Sequence, residues 1–468
     1  MTTTTSHQPD TSAGRESIPD TVTRVRATYR TGKTRPVQWR LEQLAALERM
    51  MVEREQEFTV ALEADLGRNA MDSWMTDVAP VVAEAATAQK LLRRWVRPKR
   101  VPLQMSGRPG KAWYQYEPLG TVLIIGPWNY PVHLVIAPLV GAIAAGNAAV
   151  LKPSELTPAS SAALARIVPQ YLDTDAIAIV EGAANETLEL IDQGFDHVFF
   201  TGSPEIGKIV MAAAAKHLSP VTLELGGKSP VIIDRDADLD VAARRIAFTK
   251  ALNSGQTCVA PDYALVHREV RDQFVEKLIG SMNDVTKESG PMLPIVNSKH
   301  ASRLQRLLSG AGGSVRRGGA VDVDNHRADL SVIVDPDAGS DLMREEIFGP
   351  ILPVVTVDSL DDAITHVQRG PKPLAVYLFG KDKTAQDRVL SEISNGGTVF
   401  NHLMFHVAVP RLPFGGVGNS GMGAYHGEWG FQTFSHRKAV LFKPTFPDPK
   451  MFYPPYSKLA QKIMRRLY

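Results

Sequence analysis

Between about Val37 and Arg97, apolar residues recur at steps of three and four, as in Leu41, Leu44, Leu47 and Met51. That spacing places them on one face of an amphipathic helix, and "VAPVVAEAATAQKLLRRW" continues the style. The next segment, "RPKRVPLQMSGRPGKAWYQYEP", is broken by prolines, glycines and basic residues and predicts a linker or exposed hairpin. From Gly120 the rhythm changes. Short apolar runs ("TVLIIG", "AAVLK", "AIAIVEG", "HVFFTG") alternate with helical stretches at Leu134 to Ala145, "PASSAALARIV" with Thr157 placed to cap it, and "PEIGKIVMAAAAKH". After "PVTLELGGKSPVIID" the alternation resumes with "VAARRIAFTKALNSG" and runs through "SVIVDP", "ILPVVTV", "PLAVYLFG" and "GTVFN". Such alternation predicts parallel sheets with helices on both faces, in two α/β domains in series.

One run imitates a membrane span: "VHLVIAPLVGAIAAGNAAVL", Val132 to Leu151, is nearly uncharged. Pro138 near its middle, the Gly146–Asn147 break and Lys152–Pro153 just after it favour a buried helix followed by a strand. The first twenty residues are polar, rich in Thr and Ser, lack a secretory apolar core, and read as a disordered tail. The last eighteen mix basic and apolar side chains; packing on a partner subunit is the expected fate, with contact to a membrane surface as the alternative.

Composition is that of an ordinary globular protein, 44% hydrophobic and 22% charged, long enough for two or three domains. With 52 basic and 50 acidic side chains, no global field calls for nucleic acid. Cys258 is the single cysteine, so it forms no internal disulfide and belongs to no C-x-x-C pair. That fits a reducing, cytoplasmic compartment. From its own segment, "LNSGQTCVAPDY", it is either a nucleophile or a small buried hydrophobe.

Other motifs are individually ambiguous. "FFTGSPEIGK" runs a strand through Gly202, Ser203 and Gly207 into a helix, whose N-terminus offers N–H groups to a phosphate; it matches neither common phosphate-loop fingerprint. In "LKPSE", Lys152 stands at a strand's carboxyl end with Glu155 nearby, able to meet ribose hydroxyls or only each other. Glu224 in "LELGGKSP" sits between leucines, as a general base of raised pKa or a satisfied buried carboxylate would. Asn129 in "PWNYP" can donate to an oxyanion or cap the following helix. Glu345 and Glu346 are adjacent and should point to opposite faces. His402 and His406, four apart, have no carboxylate or thiol at ligand spacing, so no metal is expected.

Taken in order, "EPLGTVLIIGPWNYP", "GNAAVLKPSELTP", "FFTGSPEIGK", "VTLELGGKSP", "NSGQTCVAPDY", "EEIFGP" and "LPFGGVGNSGMG" strongly resemble the aldehyde dehydrogenase superfamily, from about Arg26 to Lys443. "GQTCVAPDY", "FGGVGNSGMGAYHG" and "YPPY" look most like its class 3 branch of fatty- and aromatic-aldehyde enzymes, commonly dimeric. The resemblance implies two open, Rossmann-like parallel-sheet domains plus a small oligomerisation segment. An NAD-binding domain would span 22–97 and 118–225 and a catalytic domain 226–415, with 98–117 and 428–468 serving oligomerisation and 1–21 as the tail. It implies Cys258 as nucleophile, held toward thiolate by helix ends and local donors. Asn129 and the Cys258 N–H would stabilise the oxyanion, and Glu224 would activate the hydrolytic water. Lys152 and Glu155 would meet the adenosine ribose and Glu346 the nicotinamide ribose beside Phe348. Gly202, Ser203 and Gly207 would line the pyrophosphate turn, and Trp128 the cleft. Glu155 near a 2′-position favours NAD, with NADP possible.

Two departures stand out. Pro204 replaces a frequent threonine in the phosphate turn, and His402 stands where the branch often has an acid. A CoA-acylating relative would commonly lack a glutamate like Glu224, and an inactive structural member tends to lose the cysteine or the base. The expected substrate is a medium- or long-chain aliphatic or an aromatic aldehyde.

Overall fold

The computed structural model describes residues 16–290 and 292–467. Most of the expected tail, 1–15, lies outside the described residues. The boundary at 21 needs correction, because the chain is already helical over Ile18–Arg30, with the Ser17 side chain accepting from the Asp20 N–H.

Two sheets carry the molecule. The first runs, edge to edge, Gly421–Met422, Val221–Leu225, His197–Gly202, Thr121–Ile125, Ala148–Lys152 and Ile177–Ile179. All neighbours are parallel except the short Gly421–Met422 edge. The chain lays down Thr121–Ile125, moves outward on one side, then crosses to the other side for His197–Gly202. That reversal opens a crevice at the carboxyl ends of these two strands. Strands Thr121–Ile125 and Ala148–Lys152 are buried throughout, which is why they read as unbroken apolar runs rather than alternating ones.

The second sheet runs Ser314–Arg317, Ser331–Val334, Ile351–Val357, Tyr263–His267, Pro230–Ile233, Ala375–Phe379 and Gly397–Phe400, antiparallel only at Ser314–Arg317. The chain passes between sheets at Gly226–Gly227, then returns when Gly421–Met422 pairs beside Glu224. The expected hairpin forms too: Lys99–Val101 and Lys111–Pro118 join Ser435–Phe442 in a separate three-stranded antiparallel sheet.

The membrane-like run is the buried helix His133–Ala145, ended by Gly146 in the left-handed region, and then strand Ala148–Lys152. No described helix is long and apolar enough to cross a membrane. One capping expectation fails. Thr157 precedes helix Pro158–Tyr171 but makes no side-chain cap, and its hydroxyl is buried without a partner. The cap comes from another helix: the Asp65 carboxylate accepts from the Ala159 and Ser160 N–H groups at 3.0 and 2.7 Å. A negative charge there also opposes the helix dipole. Sequence proximity nominated the wrong residue. Asp65→Ala should therefore lower stability by about 1–2 kcal/mol, while Thr157→Val should stay within about 0.5 kcal/mol; thermal unfolding of the two variants in parallel checks this.

Candidate active site

Cys258 follows an unusual turn. After helix Leu239–Ala251, Asn253, Ser254 and Gly255 all have positive φ, at 50°, 52° and 69°. Such a run is strained for the two side-chain-bearing residues and must be held from outside. Asn253 Nδ2 donates to Gln256 O at 3.1 Å, and Ser254 Oγ donates to Leu293 O at 2.6 Å. Gln256 donates to Pro294 O at 3.1 Å and accepts from the Val296 N–H at 3.0 Å. At Gly255 a Cβ would lie 2.3 Å from Gly349 O, so only glycine fits.

Asn129 does not cap the helix that follows it. Asp77, in a π-helical turn at Trp74–Val78, accepts from the Val132 and His133 N–H groups at 3.0 and 2.9 Å and takes that role. The Asn129 amide is free to face the cysteine turn, donating to Gln256 O at 3.2 Å. One buried guanidinium ties these parts together. Arg68 pairs with Asp77 at 2.5 Å, donates to Asn253 Oδ1 at 3.2 Å and to the Asn129 carbonyl, and lies 4.5 Å from the Tyr130 ring centre. Tyr130 and Thr257 then share a 2.5 Å hydrogen bond.

Glu224 is buried on strand Val221–Leu225, neither carboxylate oxygen has a partner, and burial raises its pKa well above the usual range. Glu346 is likewise pushed up to about 8, by burial first and then by the charge of Asp262. Both acids act on Cys258. Burial, then Glu346, then Glu224 push the thiol up to about 12, against a pull downward from the Cys258 and Val259 N–H groups. This corrects the expectation of a cysteine biased toward thiolate. Two carboxylates beside a poorly solvated sulfur outweigh two backbone donors.

Glu345 and Glu346 diverge as expected: Glu345 pairs outward with Arg306 at 2.8 Å, while a Cβ on Gly226 would fall 2.0 Å from Glu346 Oε2. Their segment is clamped from behind. Arg303 donates to the Glu346 and Ile347 carbonyls at 2.9 and 2.7 Å, and Asp262 accepts from the Ile347 N–H at 2.8 Å. Lys228 pairs with Asp262 and donates to Glu345 O at 2.8 Å.

The cofactor candidates line the crevice of the first sheet. Lys152 is only 2% exposed; its ammonium donates to Pro153 O at 2.8 Å and to the exposed Glu155 at 3.3 Å. Of its three donors one remains, next to a carboxylate with a spare oxygen, which suits a ribose diol. Ser203 caps helix Pro204–Ala215, accepting from the Ile206 N–H at 3.4 Å, and Pro204 takes the first turn, where a missing N–H costs least. A Cβ on Gly207 would meet Leu225 at 2.7 Å, and one on Gly202 would meet Phe200 at 2.5 Å, so both glycines let backbones close up. Trp128 and Phe348 meet edge-to-face at 5.4 Å, Phe348 itself in the left-handed region at φ 46°. The donors, anion-favouring helix end and paired acids fit a dinucleotide.

Sequence reasoning missed Arg68, Asp77, Asn253, Lys228, Asp262 and Tyr425. Tyr425 is buried, and its phenol is held well above its usual pKa by burial and then by the charges of Glu224 and Cys258. Only "NSGQTC" carried a local hint, through an Asn ahead of a glycine turn. Among the described residues no group of three or more His, Cys, Asp or Glu could hold a metal. The His402 ring bonds the backbone of its neighbour Leu403, and the His406 ring lies 5.8 Å from that of Phe414.

A lone thiol, an unpartnered buried acid on the first sheet and an amide held against the cysteine turn fit an α/β enzyme of covalent, cysteine-based redox chemistry. The family model for the aldehyde dehydrogenase family matches residues 4–440. The chain is 46% identical over 445 residues to the rat (Rattus norvegicus) "Aldehyde dehydrogenase, dimeric NADP-preferring", covering 94% of this chain and 98% of that protein. It is 44% identical to the Staphylococcus aureus "4,4'-diaponeurosporen-aldehyde dehydrogenase", over 92% of this chain and 95% of the other. The solved "Substrate bound state of Staphylococcus Aureus AldH" superposes with a TM-score of 0.93 at 42% identity, covering 97% of this chain and 100% of that one. The chain belongs to the aldehyde dehydrogenase family, and its activity is the oxidation of aldehydes with NAD or NADP.

Arg68→Lys keeps the charge but loses the fork that spans Asp77, Asn253 and Asn129. It should cut kcat on the order of a hundredfold while the dinucleotide Kd stays nearly unchanged, as steady-state kinetics and a fluorescence titration can establish. For the dinucleotide-free enzyme, the rate of Cys258 alkylation by iodoacetamide should still be climbing at about pH 10, with no plateau near neutrality.

Proposed function

We propose that Cys258 attacks the carbonyl carbon of an aldehyde, its thiol proton passing to solvent water as the sulfur–carbon bond forms. The charges of Glu224 and Glu346 acting on this one sulfur, with the Asn129 amide held against the turn that leads into it, carry the reading. Oxygen becomes an alkoxide, stabilised by Asn129 Nδ2 and the Cys258 N–H. Bound nicotinamide supplies the acceptor for the hydride that leaves this carbon as the carbonyl re-forms. What remains on Cys258 is a thioester. Glu224 removes a proton from water, the hydroxide adds, and expulsion of sulfur releases the carboxylic acid. A raised carboxyl pKa makes Glu224 a stronger base than an exposed glutamate. A CoA-acylating route has no use for that base.

Lys152 and Glu155 hold the adenosine ribose, Glu346 the nicotinamide ribose, Gly202, Ser203 and Gly207 the pyrophosphate, and Trp128 with Phe348 the wall of the cleft. NAD is the preferred form and NADP is accepted, since the Lys152 ammonium offsets part of Glu155's repulsion of a 2′-phosphate. The substrate is an apolar aldehyde, medium- or long-chain or aromatic. The protein works in a reducing cytoplasm that keeps Cys258 a free thiol. It is a homodimer along the free edge of strand Ser435–Phe442, which lies at the border of its sheet.

Cys258→Ala should abolish NAD reduction, and Glu224→Gln should give one burst of NADH per active site and then stall; steady turnover by Glu224→Gln would remove it as the base. Because Glu224 serves as carboxylate, deacylation should rise with pH through its raised pKa, and this limb should vanish in Glu224→Gln. Glu155→Gln should raise kcat/KM for NADP relative to NAD severalfold, read from parallel titrations.

A further inference from the structure

A second cleft lies apart from the groups gathered at Cys258. It encloses about 340 Å³ between helix Ala79–Trp95, the segment holding Pro410 and Arg411, and helix Gly427–Thr433. None of Cys258, Glu224, Glu346 and Asn129 borders it. Its size falls at the lower end for small-molecule sites, which run from about 300 to 1,000 Å³.

The lining divides by chemistry. Trp95, Trp429 and Pro410 give it flat, apolar walls. Trp95 is buried and braced by Phe431, their ring centres 5.7 Å apart, whereas Trp429 is 42% exposed. Two guanidinium groups, of Arg94 and Arg411, share the cleft with one carboxyl group, that of Glu428. Neither arginine side chain has an ion pair or hydrogen bond among the described residues. Glu428 instead accepts from Gln432 Nε2 on its own helix, at 3.5 Å. Two unpaired cations therefore stand beside an aromatic wall, with one acid to offset them.

The three walls meet at Gly427. Its N–H donates to Glu84, in the middle of helix Ala79–Trp95, and a Cβ there would lie 2.2 Å from Pro410 O. The residue before it, His426, stacks on Tyr425 with ring centres 4.2 Å apart. At its first residue, helix Ala79–Trp95 grows out of the turn that carries Asp77, which secures the backbone after Asn129. Two walls of the cleft are thus continuous with elements that set the catalytic centre, although no catalytic group lines it.

We propose that this cleft is a feedback site for a carboxylate with an apolar body, the class of product that the activity proposed above releases and on which this inference rests. A monoanion supplies what the two guanidinium groups lack, in the paired geometry that arginine favours. A ring or a medium-length chain covers the indoles. The neutral aldehyde leaves both cations unpaired, and an inorganic anion leaves the aromatic wall bare. Bound there, the acid slows turnover through the two shared helices without competing for the sulfur.

Calorimetric titration of benzoate into the full-length Cys258→Ala protein tests the binding, with benzyl alcohol and inorganic phosphate as controls. Benzoate should bind about tenfold or more tightly than either. Arg94→Gln/Arg411→Gln should cost about tenfold or more in benzoate affinity, while the same pair in otherwise wild-type protein leaves kcat/KM for an aldehyde unchanged. Trp429→Ala should weaken benzoate severalfold. In steady-state kinetics of the wild type, benzoate should inhibit with a component that saturating aldehyde does not reverse, and the double arginine variant should lose that component. No benzoate binding, equal affinity for either control, undiminished binding by the double variant, or inhibition fully reversed by aldehyde would each overturn the proposal. A wild-type protein that oxidises no apolar aldehyde would sink the proposed substrate class instead, and would leave the calorimetry untouched.

Discussion

A single buried ion pair holds the two halves of the active centre in register. Arg68 and Asp77 come from the helical N-terminal region, yet one reaches the turn before Cys258 and the other secures the backbone after Asn129. Neither charge is solvated, and each needs the other. The free energy of that pair matters less than its geometry: the guanidinium fork fixes three partners at once, as a point charge would not. Without it the strained Asn253–Gly255 turn would lack one of its restraints, and the distance from amide to sulfur would be set by two independent loops.

The electrostatics around Cys258 describe an enzyme at rest. Burial, reinforced by Glu346 and Glu224 wherever these are ionised, keeps its proton on, and burial alone raises the pKa of Glu224. A thiol so held is protected from adventitious oxidation, because the thiolate is the reactive species. The same low-polarity surroundings that suppress the thiolate make a carboxylate, once formed, an effective base. One environment thus serves storage and catalysis.

Much of the fold could be read from the chain. Each buried parallel strand is a short apolar run, each covering helix has its own period, and the alternation sufficed for two parallel sheets. In the apolar run 132–151, the Gly146–Asn147 break marked where helix gives way to strand, while Pro138 within it and Pro153 just after it spoke against one continuous span. Edges and closures were less legible: the Gly421–Met422 strand is two residues long among glycines, with no period to detect, yet it completes the sheet beside Glu224.

For the site, the sequence by itself determined which groups exist: one thiol, a glutamate between leucines, an amide between prolines, and motifs in an order specific to one family. These signals survive in linear form because each depends on its immediate neighbours. Tertiary structure alone decided the rest. Asp65 rather than Thr157 caps a helix, Asp77 displaces Asn129 from a capping role, and Glu346 rather than Glu345 turns toward the sulfur. The protonation of Cys258 belongs here too, since it follows from how deeply the sulfur lies and which charges come near it. Capping, burial and charge proximity act through space over a few ångströms, and the linear distance between such partners reaches more than a hundred residues.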